Sequence, residues 1–462
     1  MFHFTRVDWA SFEAHVEQVM KDSHIVGTAV AVADGKDVLY ARGFGVKDVK
    51  TREPVTPETI FGCASVSKSF TAMAITQLCD EGLMSLDDPV IEHIPEFRLV
   101  GEEDMGDVRM RHILSHTTGL PPIKRRQEIT GFDQHVEYLA TAQYELLGKP
   151  GEYFSYCNDT FLLNGMIIQR KKGQLYRRYM TRHILDAIGM NRSTYSLEEL
   201  EKLGDLSTPY VYNRKTGEHE PQPWPVLGTY EVGGGVRSCV LDLMKYGQVY
   251  LRGGAAPDGT WIASAEGLKR MWTAPMYRTA RKTDYHFALQ VTPDYDGRGI
   301  TLVEHSGGQP GVSSNFGFVP EKGITAAVLT NVTGVPAGAI WLAAVNTALG
   351  MPLETKKSIE TDCGAPVEQL ARFTGIYKSD EGIGVDVSIV TEGDGLKVKT
   401  EGEEFEAKAS DERTLFFHAM GQEQVLRFYF DEKRNPDHPW AVLAHSRMLR
   451  RFAENGKSEP HQ

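Results

Sequence analysis

The pattern of apolar and polar positions divides the chain into a mixed segment and a β-rich tail. Residues 9–21 read as a first helix, and residues 28–32 are β-branched and apolar. Asp34-Gly35 then leads into Val38-Leu39-Tyr40, a hairpin pattern in which the Asp-Gly pair supplies the positive-φ conformations of a tight turn. From Ser65 onward Val66, Phe70, Met73, Ala74 and Leu78 recur at helical spacing, which predicts an amphipathic helix ending near Gly82. The stretch to about Leu243 reads as helices and long loops. Strands return at 301–305, 314–319 and 324–330, separated by Gly/Pro turns. A sheet built from both ends of this region, with helices between, is the expected core.

Residues 351–367 shift to Lys, Glu, Thr, Pro and Gly, the composition of a linker. Beyond it, strand-length runs at 374–377, 385–390, 396–399, 414–418, 425–430 and 441–445 predict a small all-β barrel or sandwich. The fold class expected is therefore α/β (α+β), an antiparallel sheet flanked by helices plus a helical subdomain at about 76–243, followed by a β domain. The domain reading is 1–350, a linker over 351–370 and a β-barrel over 371–456.

Composition narrows the function classes. A length of 462 residues exceeds what one hydrophobic core usually serves, and 41% hydrophobic with 24% charged residues excludes wholesale disorder and a membrane-spanning bundle. With 50 basic against 62 acidic side chains the net charge is −12, and no basic stripe interleaves with aromatics, so no nucleic-acid partner is expected. The amino terminus lacks a basic region followed by an apolar one, and charges interrupt every apolar run, so neither export nor a membrane partner is expected. Five cysteines, Cys63, Cys79, Cys157, Cys239 and Cys363, lie scattered without C-x-x-C spacing, which fits reduced thiols and a cytoplasmic location.

Three short motifs carry candidate chemistry. In Ser65-Val66-Ser67-Lys68 a serine stands where a loop enters a helix, beside unpaired backbone N–H groups, and an ammonium follows one turn later on the same face. That pairing favours an alkoxide, although S-x-x-K alone arises by chance and also describes a capping serine with a solvated lysine. In Tyr156-Cys157-Asn158 a phenol near a lysine is able to accept a nucleophile's proton; packing is the competing reading. His305-Ser306-Gly307-Gly308 ends an apolar strand, where glycines let a ligand approach the backbone and the Gly308 N–H is able to serve an oxyanion hole. Other features add little. His112 and His116 stand at metal spacing without the acid of H-E-x-x-H, Gly233-Gly234-Gly235 lacks the lysine of a phosphate loop, and His445 and Cys363 read as surface or core residues. No metal and no cofactor are expected.

Taken in order, these motifs resemble the serine β-lactamase and penicillin-recognising superfamily, on its class C-like esterase and D-aminopeptidase side, where Y-x-N and H-x-G stand for the S-D-N and K-T-G boxes. The resemblance covers about 26–331 and includes Ile113 to Leu120, Pro150-Gly151, Gly233 to Gly235 with Ser238, and His305 to Gly311. Arg372-Phe373-Thr374-Gly375-Ile376-Tyr377 is similar to the opening of the lipocalin-like domain that many members append. The resemblance implies Ser65 as nucleophile, Lys68 as its partner, Tyr156 as general base then acid, and an oxyanion hole from the N–H groups of Ser65 and Gly308. It also implies that Asn158, His305, Ser306 and Gly307 contact the substrate, a small ester or peptide. His305 in place of lysine removes a permanent cation for a β-lactam carboxylate and points away from efficient lactamases. Cys157 in the middle of Y-x-N suggests a site sensitive to alkylation. Hydrolysis through an acyl-enzyme is the leading expectation; acyl transfer on the same fold and a non-catalytic penicillin- or peptidoglycan-fragment-binding protein are the alternatives. A homo-oligomer is compatible with all three, and the last domain is expected to cover or narrow the site.

Overall fold

The structure is a computed structural model that describes residues 7–452 apart from 36, 127, 275–276, 281, 358, 390–395, 401, 420–421 and 432–434. Val390 of the expected strand 385–390, and 453–456 of the expected barrel, lie outside the described residues. The chain forms two compact units, one of Met1–Leu86, Leu162–Met276 and Tyr285–Lys357, the other of Asp87–Phe161, Tyr277–Asp284 and Ser358–Gln462.

The first unit is built on an antiparallel sheet. Its strands β1 (Gly27–Ala33), β2 (Val38–Gly45), β3 (Gln290–Tyr295), β4 (Ile300–Gln309), β5 (Val312–Val319) and β6 (Ile324–Thr330) lie in the order β2-β1-β6-β5-β4-β3. The first hairpin thus joins the last strand of this unit, as Thr28 opposite Thr330 and Ala33 opposite Thr325 show. β5 and β6 are buried at every position; β6 reads as a nearly continuous apolar run, β5 also buries Ser313, Ser314 and Asn315 through hydrogen bonds, and the edge strand β2 is largely exposed. Helix α1 (Trp9–Asp22) and the helix Ala337–Leu349 near the end of the unit cover one face, where Phe12, Val16, Ile340 and Trp341 meet Val30, Val32, Ala326 and Val328. On the other side α2 (Ser67–Asp80) and α3 (Val240–Leu251) stack through Phe70 on Tyr246, whose ring lies 5.0 Å from that of Phe316 on β5.

α2 is where the amphipathic expectation fails. Every residue from Ser67 to Leu78 is buried, because the helix runs through the interior of the unit and its polar side chains bond to neighbouring segments. Thr71 donates to the Val232 carbonyl at 2.7 Å and Gln77 to that of Ile262 at 2.8 Å. The helix nevertheless stops where expected, with Gly82 at φ +70° just past its end.

In the second unit eight antiparallel strands close into a barrel, the form expected of a lipocalin-like domain. They are β7 (Gly375–Lys378), β8 (Gly384–Ile389), β9 (Leu396–Thr400), β10 (Glu403–Asp411), β11 (Thr414–Ala419), β12 (Gln422–Asp431), β13 (Asn435–Ala444) and β14 (Arg447–Phe452). Tyr377, Val387, Val398, Leu415, Phe417, Phe428, Val442 and Leu449 fill the interior, as is usual for eight strands. Two of the strands escape the sequence pattern. β10 alternates, but its inward positions are mostly small alanines and give a weak apolar signal, and β14 buries Met448, Leu449 and Arg450 in succession without alternating.

Candidate active site

Ser65 lies in a 3-10 turn, Ala64–Val66, that feeds directly into α2. The residue before it, Ala64, has φ +46°, a conformation that costs a non-glycine residue about 1–3 kcal/mol and survives only where the surroundings enforce it. Several bonds do so. Ser314 on β5 donates to the Cys63 carbonyl at 2.8 Å, and the Val236 N–H donates to Ser67 Oγ at 2.9 Å. Phe61–Gly62 pairs with Arg237–Ser238.

One turn into α2, Lys68 is only 1% exposed, and its Nζ reaches Ser65 Oγ at 3.3 Å and the Gly233 carbonyl at 3.1 Å. A lysine this dry is held by its partners. Gly233 also provides the room, since a Cβ there would stand 2.8 Å from Nζ. The glycine run noted in the sequence is therefore a berth for the lysine.

The third motif lies inside β4, which continues through Gly308 to Gln309 where the sequence suggested a strand end and a turn. Pairing with β5 accounts for the extension: His305 faces Phe316, Gly307 faces Ser314 and Gly308 faces Ser313. Gly307 permits the close approach of β4 to the serine turn, because a Cβ on it would meet Ser314 Oγ at 2.3 Å, the Cys63 carbonyl oxygen at 2.4 Å and Ala64 Cβ at 3.1 Å. Gly308 differs; a Cβ on it would meet no protein atom within 4 Å.

His305 is buried, and its ring is fixed at both nitrogens. The Ser306 carbonyl only accepts, so Nδ1 carries the proton and donates at 2.5 Å, while Nε2 accepts from the Tyr285 hydroxyl at 3.0 Å. Burial, reinforced by the nearby Lys68 charge, pushes the imidazole down to about 3. The ring is thus neutral across the physiological range. Tyr285 had no signal in the sequence, being 20 residues from the histidine it orients.

Tyr156 and Asn158 belong to the second unit, and Asn158 opens the short helix Asn158–Phe161. Tyr156 is buried, with its ring centroid 4.1 Å from that of His116. His116 Nδ1 lies 3.1 Å from the Cys157 N–H and its carbonyl accepts from the Ser155 N–H at 3.0 Å, so the histidine organises the Tyr156 loop. The Cys157 thiol corrects the expectation of alkylation. It is buried, and desolvation with the nearby Asp159 charge pushes it up to about 12, so the reactive thiolate is scarce.

Comparison with known proteins gives the family of the chain. The family profile described as Beta-lactamase matches residues 12–348. Penicillin-binding protein 4 of Amycolatopsis lactamdurans is 28% identical over 342 residues, 70% of this chain and 85% of that protein. Penicillin-binding protein 4* of Bacillus subtilis (strain 168) is 27% identical over 437 residues, 88% of this chain and 91% of its own. Among solved structures, the octameric penicillin-binding protein homologue from Pyrococcus abyssi superposes with a TM-score of 0.70 at 28% identity, covering 96% of this chain and 99% of that one. With the profile spanning most of the chain, this protein belongs to the Beta-lactamase family of serine hydrolases.

Proposed function

We propose that the protein hydrolyses short esters, or the amide and peptide bonds of small substrates including D-amino-acid peptides, through an acyl-enzyme on Ser65, with little β-lactamase activity. The observation that carries this reading is the 3.3 Å contact between Ser65 Oγ and the buried Lys68 Nζ at the entrance of α2. An amine there takes the hydroxyl proton, and an ammonium stabilises the alkoxide.

In the proposed sequence Ser65 Oγ attacks the substrate carbonyl and its proton passes to Lys68 or Tyr156, the two basic groups of the motifs. The tetrahedral oxyanion is received by the N–H groups of Ser65 and Gly308. The leaving alcohol or amine takes the proton back, and water repeats the steps in reverse order to free the acid. Asn158, Ser306 and Gly307 line the acyl side. Tyr156 and Asn158 enter on the order of the family's motifs. The free space at Gly308 supports the oxyanion role, and the neutral imidazole of His305 supports esters and amides over β-lactams, since it supplies no cation for a carboxylate.

The same reading divides the chain into a hydrolase domain over 1–350 with a helical subdomain at about 76–243, a linker over 351–370 and the barrel domain over 371–456. A cytoplasmic location and self-association are part of it. Five cysteines scattered without C-x-x-C spacing support the first and the octameric homologue the second; among the described residues no helix is long and apolar enough to cross a membrane.

The test compares wild type with Ser65→Ala on a chromogenic short-acyl ester, a D-amino-acid anilide and a chromogenic cephalosporin. Ester or anilide turnover that disappears with Ser65 is expected. Wild-type turnover in Ser65→Ala overturns the nucleophile, and a stoichiometric penicillin adduct without turnover of any substrate makes the protein a binder.

A further inference from the structure

The turn between β13 and β14 touches the loop bearing Tyr156. Its two residues, His445 and Ser446, have φ +48° and +63°, the left-handed pair of a two-residue hairpin turn, although neither is glycine or asparagine. Ala444 and Arg447 face each other across it. This turn presents three groups to the loop. The Ser446 carbonyl accepts from the Tyr156 N–H at 2.8 Å, the Met448 N–H donates to Ser155 Oγ at 3.2 Å, and the Arg447 guanidinium lies over the Tyr156 ring, 4.8 Å from its centroid.

The contact is built as a packed joint. Leu147, Ala441 and Met448 form a small core with Tyr153, Tyr429 and Trp440 around it, and Arg450 donates to the Leu146 carbonyl at 2.6 Å. Arg447 is committed on its other side as well, to Glu381 at 3.1 Å and to the His445 carbonyl at 3.3 Å. Its charge is balanced by that carboxylate, so the flat guanidinium is a fixed plate against the phenol ring and poorly placed to receive a substrate anion.

We infer that Arg447, held by Glu381 on the β13–β14 turn, is a positioning residue that fixes the Tyr156 ring for proton transfer in the proposed acyl-enzyme reaction. The inference rests on the role proposed for Tyr156 and gives the barrel a task inside the chemistry. A general base acts only from within hydrogen-bond reach of the proton it takes, and a ring freed on one side loses that placement in the transition state more than it loses substrate binding.

The experiment measures ester hydrolysis by the full-length chain as wild type, Ser65→Ala, Tyr156→Phe, Arg447→Met, Arg447→Lys and Glu381→Gln. For Arg447→Met the expected result is a fall in kcat of about 10- to 100-fold with KM changed less than about twofold, because the lost interaction acts in the transition state. Arg447→Lys, which keeps a cation but neither the flat plate nor the two-point hold by Glu381, recovers only part of kcat, and Glu381→Gln falls between Arg447→Met and wild type. A kcat within about twofold of wild type in Arg447→Met, or a loss confined to KM, overturns the inference, the second by making Arg447 a substrate contact. Should Arg447→Met not fold, Glu381→Gln decides by the same criterion. If Ser65→Ala and Tyr156→Phe are inactive while the Arg447 and Glu381 variants are not, only this inference fails; if Ser65→Ala is fully active, the hydrolase reading fails with it.

Discussion

The Tyr285 hydroxyl donates to Nε2 of His305 at 3.0 Å while Nδ1 of the same ring donates to the Ser306 carbonyl. Both nitrogens are thereby used in the neutral form, and protonation at Nε2 would set two donors against each other unless the hydroxyl turned. With the imidazole pushed down to about 3, its NMR signals are expected to show no titration between pH 5 and 9. A midpoint near the ordinary histidine value would contradict the assigned tautomer.

Acid stability follows from the same pair. The folded pKa lies below the unfolded value of about 6.5, so the unfolded chain binds a proton the native one refuses, and stability is lost as pH falls from about 6.5 toward 3. His112, pushed down to about 4 by burial and the neighbouring Arg111 and Arg109 charges, adds in the same direction. Denaturant unfolding at pH 7 and pH 5 is expected to give a smaller difference for His305→Gln than for wild type. Equal pH dependence in the two would rule out His305 as a source.

Gly233→Ala places a methyl 2.8 Å from Lys68 Nζ without straining the backbone. Ester turnover is expected to fall by about tenfold or more as Nζ leaves Ser65 Oγ, with thermal stability nearly preserved. Unchanged kcat would show that the lysine works equally well from another position.

Two adjacent glycines on β4 are expected to separate stability from activity. Gly307→Ala forces strand and serine turn apart and should cost about 1–3 kcal/mol in urea unfolding, along with activity. Gly308→Ala meets open space and should leave stability unaltered while lowering turnover of bulkier acyl esters. A stable Gly307→Ala, or a Gly308→Ala enzyme with wild-type selectivity, would contradict the corresponding half.

Iodoacetamide at pH 7 is expected to leave Cys157 unmodified in the native protein and to label it only on unfolding, because that thiol is buried and pushed up to about 12, whereas the exposed Cys363 is open to the reagent. Mass spectrometry of the native protein showing rapid carbamidomethylation of Cys157 would overturn this.

Local chemistry was legible in the sequence wherever a few adjacent residues settle it. The pairing of β1 with β2, the helix after Ser65 with its stop at Gly82, the strands β4 to β6 and six of the eight barrel strands follow from periodicity and turn residues, although Asp34-Gly35 takes none of the positive φ expected of it, and the three motifs follow from their spacing. Tertiary structure alone decided the rest, because the partners are far apart in the chain. The burial of α2 on all sides, the berth of Lys68 at Gly233 and the turn of Arg447 over Tyr156 each depend on segments separated by tens to hundreds of residues. A sequence pattern reports which side of an element prefers water; it does not report which distant carbonyl, ring or glycine stands on the other side.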